Sequence, residues 1–119
     1  AKAATDLLAS YGGIRILVLG DMGELGPDAR LYHEEVGIHA KQAGINQLFT
    51  LGVLSQNASE QFHAQGGHFS SRQQLVAKLS PMLNTTAEVS ILVKGSRSAK
   101  MELVVQDLLE RCQQETSAC

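Results

Sequence analysis

The sequence has no tryptophan, 2 prolines, 2 cysteines and only 4% aromatic residues, and its charge is nearly balanced, with 10 lysines and arginines against 12 acids. Each shortage closes a class of function. Without a surplus of basic residues there is no stripe to neutralise phosphates, and with so few aromatics there is little on which bases could stack, so nucleic acid is a poor partner. No apolar run approaches the roughly 20 residues of a membrane-crossing helix, and the alanine-rich start carries Lys2 and Asp6 where a signal peptide would be apolar, so no membrane is expected either. Cys112 and Cys119 lie in a polar stretch with neither zinc-type spacing nor a disulfide framework, which points to a reducing, cytoplasmic setting. What remains is 119 residues, 44% hydrophobic, enough for one small domain that buries about two-thirds of its unfolded surface without staples.

Apolar runs and helical periods alternate along the chain. Ala3, Leu7, Leu8 and Tyr11 share a helical face, with no cap before Ala1, so the chain reads as the continuation of a longer polypeptide. Ile14 to Leu19, bounded by Gly12-Gly13 and Gly20, has the look of a strand buried on both faces. A loop over Gly20 to Ala29 leads to a helix from Leu31 to Ala43 with Gly44 as its left-handed cap. Gln47 to Leu51 is a second strand and Ser55 to Gln65 a helix that Ser55 caps. His68-Phe69 is a short third strand. A capping box at Ser71 and Gln74 opens a helix over Leu75, Val76, Leu79, Met82 and Leu83, which Pro81 interrupts near its end. Val89 to Val93 is the fourth strand, and Met101, Val104, Val105, Leu108, Leu109 and Cys112 lie on one face of a last helix that frays from Gln113. Strands separated by helices require crossovers, so the expected fold is a Rossmann-like α/β domain, a mainly parallel sheet flanked by helices on both faces. Ligands of such sheets sit beyond the carboxyl ends of the strands, in the loops after Leu19, Leu51, Phe69 and Val93.

Of those loops, Lys94-Gly95-Ser96-Arg97-Ser98 is the strongest candidate. Two cations, two hydroxyls and the free amides of a helix start could hold a carboxylate or phosphate, with Gly95 allowing close approach. The alternative is that a serine caps the helix and both cations are solvated. The loop Gly20-Asp21-Met22-Gly23-Glu24-Leu25-Gly26-Pro27-Asp28 departs from the dinucleotide fingerprint and puts acids where phosphate would sit. Its acids could take hydrogen bonds from an ammonium or a ribose, or form no more than an acidic surface turn. His33-Glu34-Glu35-Val36-Gly37 starts like a zincin helix but has Gly37 in place of the second histidine, so a metal site is not expected. His33, at the loop end of its helix, is more suited to ordering the loop than to catalysis. The sequence contains no Walker loop and no nucleophile elbow. A phospho-acceptor receiver domain would share Asp21 and Lys94, but needs an aspartate where Gly52 follows Leu51.

Taken together, Val18 to Gly26, His33 to Gly37 and Leu92 to Ser98, with Met101-Glu102 and Val104-Val105, resemble the C-terminal domain of the Mur ligases, in the branch that adds D-alanyl-D-alanine to UDP-N-acetylmuramoyl-tripeptide during peptidoglycan precursor synthesis. The resemblance implies a three-domain, ATP-dependent amide ligase. Its first domain would hold the UDP-sugar peptide, and its central domain the Walker loop, ATP and magnesium. The third, Rossmann-like domain would swing over the central one, help hold the nucleotide and shape the pocket for the incoming dipeptide. Residues 1–119 would be that third domain, inactive alone. The resemblance places Lys94, Gly95, Ser96, Arg97 and Ser98 beside D-alanyl-D-alanine, and Asp21, Met22, Glu24 and His33 at the nucleotide side of the closed cleft. Gly23 stands where many relatives have a larger residue, Ala99-Lys100 vary, and the family's segment with asparagine and proline ahead of the first helix is missing. The alternative from another class is a free-standing α/β module that binds a small anion or peptide carboxylate without chemistry.

Overall fold

Ile14 to Leu19 forms the middle of the sheet, as a run that is apolar on both sides should. The computed structural model describes residues 2–62, 66–83, 88–95 and 99–118. In chain order the elements are α1 (Lys2–Ala9), β1 (Ile14–Gly20), a kinked 3-10 segment (Gly23–Asp28), α2 (Ala29–Gln42), β2 (Gln47–Leu51), α3 (Gln56–Phe62), β3 (Gly66–Phe69), α4 (Arg72–Leu83), β4 (Val89–Lys94) and α5 (Glu102–Ala118). The strands make one four-stranded sheet in the order β3-β2-β1-β4, with every pairing parallel.

Side chains of β1 alternate between the two faces. Leu17 and Leu19, with Leu48 of β2, pack on Leu8 of α1, Val36 and Ala40 of α2, and Ala58 and Phe62 of α3. Ile16 and Val18, with Phe49, pack on Leu75, Val76 and Leu79 of α4 and on Met101, Val104 and Leu108 at α5. The sheet is thus covered on both faces, the expected Rossmann-like arrangement.

From β1 the chain steps outward to β2 and β3, then returns across the sheet to place β4 on the free side of β1. The order reverses there, so the topological switch point lies between β1 and β4. Register brings the strand ends level, with Leu19 opposite both Thr50 and Lys94, and Leu51 opposite Gly20 and Phe69. All four carboxyl-end loops therefore leave from one rim.

Several local expectations change. Helix α1 buries Thr5 and Leu8, while Leu7 is 60% and Tyr11 51% exposed; the helix ends at Ala9, so its period does not carry to Tyr11. The segment Gly23–Asp28 is not plain loop but 3-10 turns broken at Gly26, where φ is +65°. The Ser55 hydroxyl does not cap α3 and instead donates to the Gly52 carbonyl at 3.1 Å. Only half of the capping box forms, Gln74 N–H donating to Ser71 Oγ at 3.3 Å, while Ser71 Oγ donates to Gln73 Oε1. Helix α4 continues through Pro81 to Leu83, because a proline in the last turn removes one backbone bond while Met82 and Leu83 still pack on the core. Helix α5 continues beyond Gln113 to Ala118, along a stretch without glycine or proline. Its buried stripe is Met101, Val104 and Leu108, with Val105 and Leu109 exposed. The Gly44 cap forms as expected, at φ +81°. It is a Schellman pair, Ile45 N–H to Ala40 O and Gly44 N–H to Lys41 O.

Candidate functional site

The ends of β1 and β4 form the centre of the rim. Lys94 closes β4 opposite Leu19, and Gly95 follows so close to the neighbouring strand that a Cβ on it would lie 3.4 Å from Gly20 Cα and 2.5 Å from Met101 Cγ. Both residues are half-buried. The turn into α5 then passes through Lys100, which takes a left-handed φ of +52°, a conformation uncommon for a side chain larger than glycine. Ser96, Arg97 and Ser98 lie outside the described residues, as do the side chains of Glu24 and Cys112.

On the other strand of the switch point, Asp21 follows Gly20 directly. Its Oδ1 accepts the Ser55 N–H at 2.8 Å and its Oδ2 the Leu54 N–H at 3.2 Å, joining the loop after β1 to the turn after β2. The next residue is held from the opposite direction. Met22 N–H donates to His33 Nε2 at 3.1 Å, and His33 Nδ1 donates to the Ala29 carbonyl at 2.5 Å. A backbone amide can only donate, so Nε2 is the acceptor and the ring hydrogen sits on Nδ1. His33 is 0% exposed, edge-on to the Tyr32 ring at a centroid separation of 5.6 Å. Burial pushes the Tyr32 hydroxyl pKa up from its ordinary value.

Gly95 thus approaches Gly20 where β4 and β1 end, while the Asp21 carboxylate turns to the far side of β1, onto Leu54 and Ser55, and Met22 is held by His33. The other histidines have different partners. His39 Nε2 meets Asp6 Oδ1 at 2.7 Å between α2 and α1, His68 Nδ1 shares a hydrogen bond with Thr50 Oγ1 at 2.8 Å, and His63 lies outside the described residues. Gly37, which breaks the zincin-like motif, has a packing reason: a Cβ there would run into the Ala58 backbone, 2.9 Å from its carbonyl carbon. Helices α2 and α3 touch along that glycine.

Two contributors were not singled out from sequence as site-formers. Met101, 4% exposed, fills the space over Gly20 and Gly95; two glycines at adjacent strand ends are the signal of such an overlying side chain. Gly52, at φ +112°, makes room for the Asp21 carboxylate, and its signal is a glycine directly after a buried strand.

Residues 1–97 match the family described as Mur ligase, glutamate ligase domain. Over 108 residues the chain is 42% identical to the UDP-N-acetylmuramoyl-tripeptide--D-alanyl-D-alanine ligase of Escherichia coli (strain K12), covering 91% of this chain and 24% of that protein. With the same coverage it is 39% identical to the ligase of that name from Buchnera aphidicola subsp. Acyrthosiphon pisum (strain APS). A crystal structure of MurF from Acinetobacter baumannii superposes with a TM-score of 0.82 at 27% identity, over 92% of this chain and 24% of that one. The chain therefore spans about a quarter of the length of the curated relatives it matches.

Proposed function

The chain belongs to the Mur ligase family, and from that premise we propose that residues 1–119 are the C-terminal, substrate-positioning and closing domain of a cytoplasmic ligase that joins D-alanyl-D-alanine to UDP-N-acetylmuramoyl-tripeptide at the expense of ATP. The observation that carries this reading is the close approach of Gly95, after β4, to Gly20, at the end of β1, which starts the Lys94-Gly95 turn and the loop from Asp21 at one switch point, where open α/β sheets hold their ligands. On this reading Lys94, Gly95, Ser96, Arg97 and Ser98 receive the dipeptide, with Lys94 as a point charge and Arg97 as a fork for its carboxylate. The loop of Asp21, Met22 and Glu24, braced by His33, forms the nucleotide side of the cleft.

In such a ligase the peptide carboxylate takes the terminal phosphoryl group of ATP, releasing ADP, and the dipeptide amine then attacks the acyl carbon and expels phosphate. The contribution of this domain is orientation. Holding the amine against an acyl phosphate in a closed cleft raises its effective concentration and keeps water from the activated carbonyl. Among the described residues no three His, Cys, Asp or Glu side chains gather, and the sequence has no Walker loop. We assign the metal and most of the ATP contacts to a central domain.

The test is Arg97→Ala in the ligase that contains this chain. Loss of one charged partner of a carboxylate costs about 2 kcal/mol or more, so kcat/KM for the dipeptide should fall at least about thirtyfold. Unchanged dipeptide kinetics would refute that role for Arg97. A second arm uses the 119-residue chain alone with ATP, precursor and dipeptide. No ADP release is expected, and measurable release would overturn the assignment of ATP chemistry to another domain.

A further inference from the structure

Asp21 sits in a niche that only glycine at position 52 can leave open. A Cβ on Gly52 would lie 2.5 Å from Asp21 Oδ1 and 2.7 Å from Oδ2, inside van der Waals contact, and the backbone there has a φ of +112° that disfavours any side chain. Within the niche the two carboxylate oxygens accept separate amides, those of Ser55 and Leu54. Ser55, fully buried, turns its hydroxyl back on the Gly52 carbonyl, which closes the turn beneath the carboxylate. The adjoining Met22 amide is anchored on His33. Consecutive residues of the loop after β1 are thus tied in two directions, Asp21 to the turn after β2 and Met22 to α2. Val53, 81% exposed, stands at the outer tip of that turn.

We propose that Asp21 is a positioning residue of the ligase: it acts through the β2–α3 turn, locking that turn and the loop after β1 into one stiff rim, and does not work by contacting nucleotide or dipeptide. This rests on the reading of the rim as the ligand-facing edge. Its physical basis is satisfaction of donors. Withdrawing the carboxylate to serve a ligand would strand the Leu54 and Ser55 amides, both already paired in a part-buried setting. A rim that must meet another domain in one geometry at every closure gains from groups preset in this way.

The experiment compares Asp21→Ala, Asp21→Asn, Gly52→Ala and the double variant Asp21→Ala/Gly52→Ala in the ligase that contains this chain. Gly52→Ala evicts the carboxylate without altering it. Both Asp21→Ala and Gly52→Ala should lower kcat by about ten- to hundredfold with the KM for ATP and for dipeptide little changed, as misplaced but unimpaired ligand contacts require. The double variant should be no slower than the slower single, because both break one linkage. Asp21→Asn, which keeps an acceptor for Ser55 but turns an amide towards Leu54, should lie between wild type and Asp21→Ala. Amide hydrogen exchange supplies a readout independent of turnover: Leu54, Ser55 and Met22 should all exchange faster in Asp21→Ala. A raised KM for either ligand with kcat kept, additive losses in the double variant, or unchanged exchange at Met22 would each overturn the proposal. Failure of the functional reading looks different, since the wild-type protein would then not join the dipeptide at all.

Discussion

The side chain of Met101 occupies the space that a Cβ on Gly20 would need. Such a Cβ would stand 2.5 Å from Met101 Cγ, and a Cβ on Gly95 would meet the same atom at the same distance. The two strand ends of the switch point are therefore glycine because one buried thioether lies across both. Gly20→Ala should destabilise the chain by about 1–3 kcal/mol, the usual cost of overpacking a closed core. Met101→Ala should cost about 2–5 kcal/mol through the cavity it leaves. Combined, the two should cost less than their sum, since the shortened side chain admits the new methyl group. Urea unfolding of the four proteins gives the coupling, and strict additivity would separate Met101 from Gly20.

His33 uses both ring nitrogens, so replacing it by a residue of similar size but without them isolates the polar contribution. His33→Phe keeps the volume and the edge contact with Tyr32 but leaves the Met22 N–H and the Ala29 carbonyl without these partners. A loss of about 1–3 kcal/mol is expected, the range for orphaning a buried polar group. Amide exchange at Met22 should rise more than at core positions such as Phe49. In the unmodified protein, nitrogen chemical shifts should show the hydrogen on Nδ1. A hydrogen found on Nε2 would contradict the Met22 contact.

The sheet, and the rim from which its loops leave, are largely legible in the sequence. Ile14 to Leu19 reads as a strand buried on both faces, which demands helices above and below, and crossovers long enough for helices make the strands parallel and send their loops to one edge. What escaped was set by contacts far apart in sequence. Nothing near Asp21 tells that its carboxylate meets amides 33 and 34 residues later. The face expected for α1, Ala3 with Leu7, Leu8 and Tyr11, is not the buried one, because packing of so short a helix turns Thr5 and Leu8 inward and leaves Leu7 out. Nor does anything near Arg15 tell that its guanidinium reaches the carbonyls of Ala9 and Gly44.

Gly37 carries a prediction opposite in sign to its helix propensity. On an exposed helix, glycine to alanine gains about 1 kcal/mol. Here the new Cβ would strike the Ala58 backbone, which belongs to a packed helix and cannot swing aside as a side chain tip can. Gly37→Ala should therefore destabilise by about 1–3 kcal/mol as α2 and α3 are forced apart. Gly37→His, which completes the zincin-like spacing with His33, should abolish the folded state and gain no zinc affinity. Thermal melts with and without zinc decide this, and a metal-stabilised Gly37→His protein would refute the packing account.

Arg15 closes the opposite end of the sheet from the candidate site, and there a single guanidinium serves two helix ends. Its NH1 donates to the Ala9 carbonyl at the end of α1 at 2.7 Å, and its NH2 to the Gly44 carbonyl beyond α2 at 2.8 Å. Nε and the backbone amide both donate to Asn46 Oδ1. The cation thus lies where two helix dipoles present their negative ends, and the planar fork reaches both carbonyls at once. Arg15→Met, which keeps the aliphatic stem, should cost about 1–3 kcal/mol by urea unfolding. Arg15→Lys should recover less than half of that, because one ammonium cannot span both carbonyls and Asn46 together. Neither variant should change dipeptide kinetics in the ligase, since Arg15 braces the edge of the sheet remote from Lys94 and Asp21. Full rescue by lysine would show that charge alone matters, and a specific rise in the dipeptide KM would show that the two ends of the sheet are coupled.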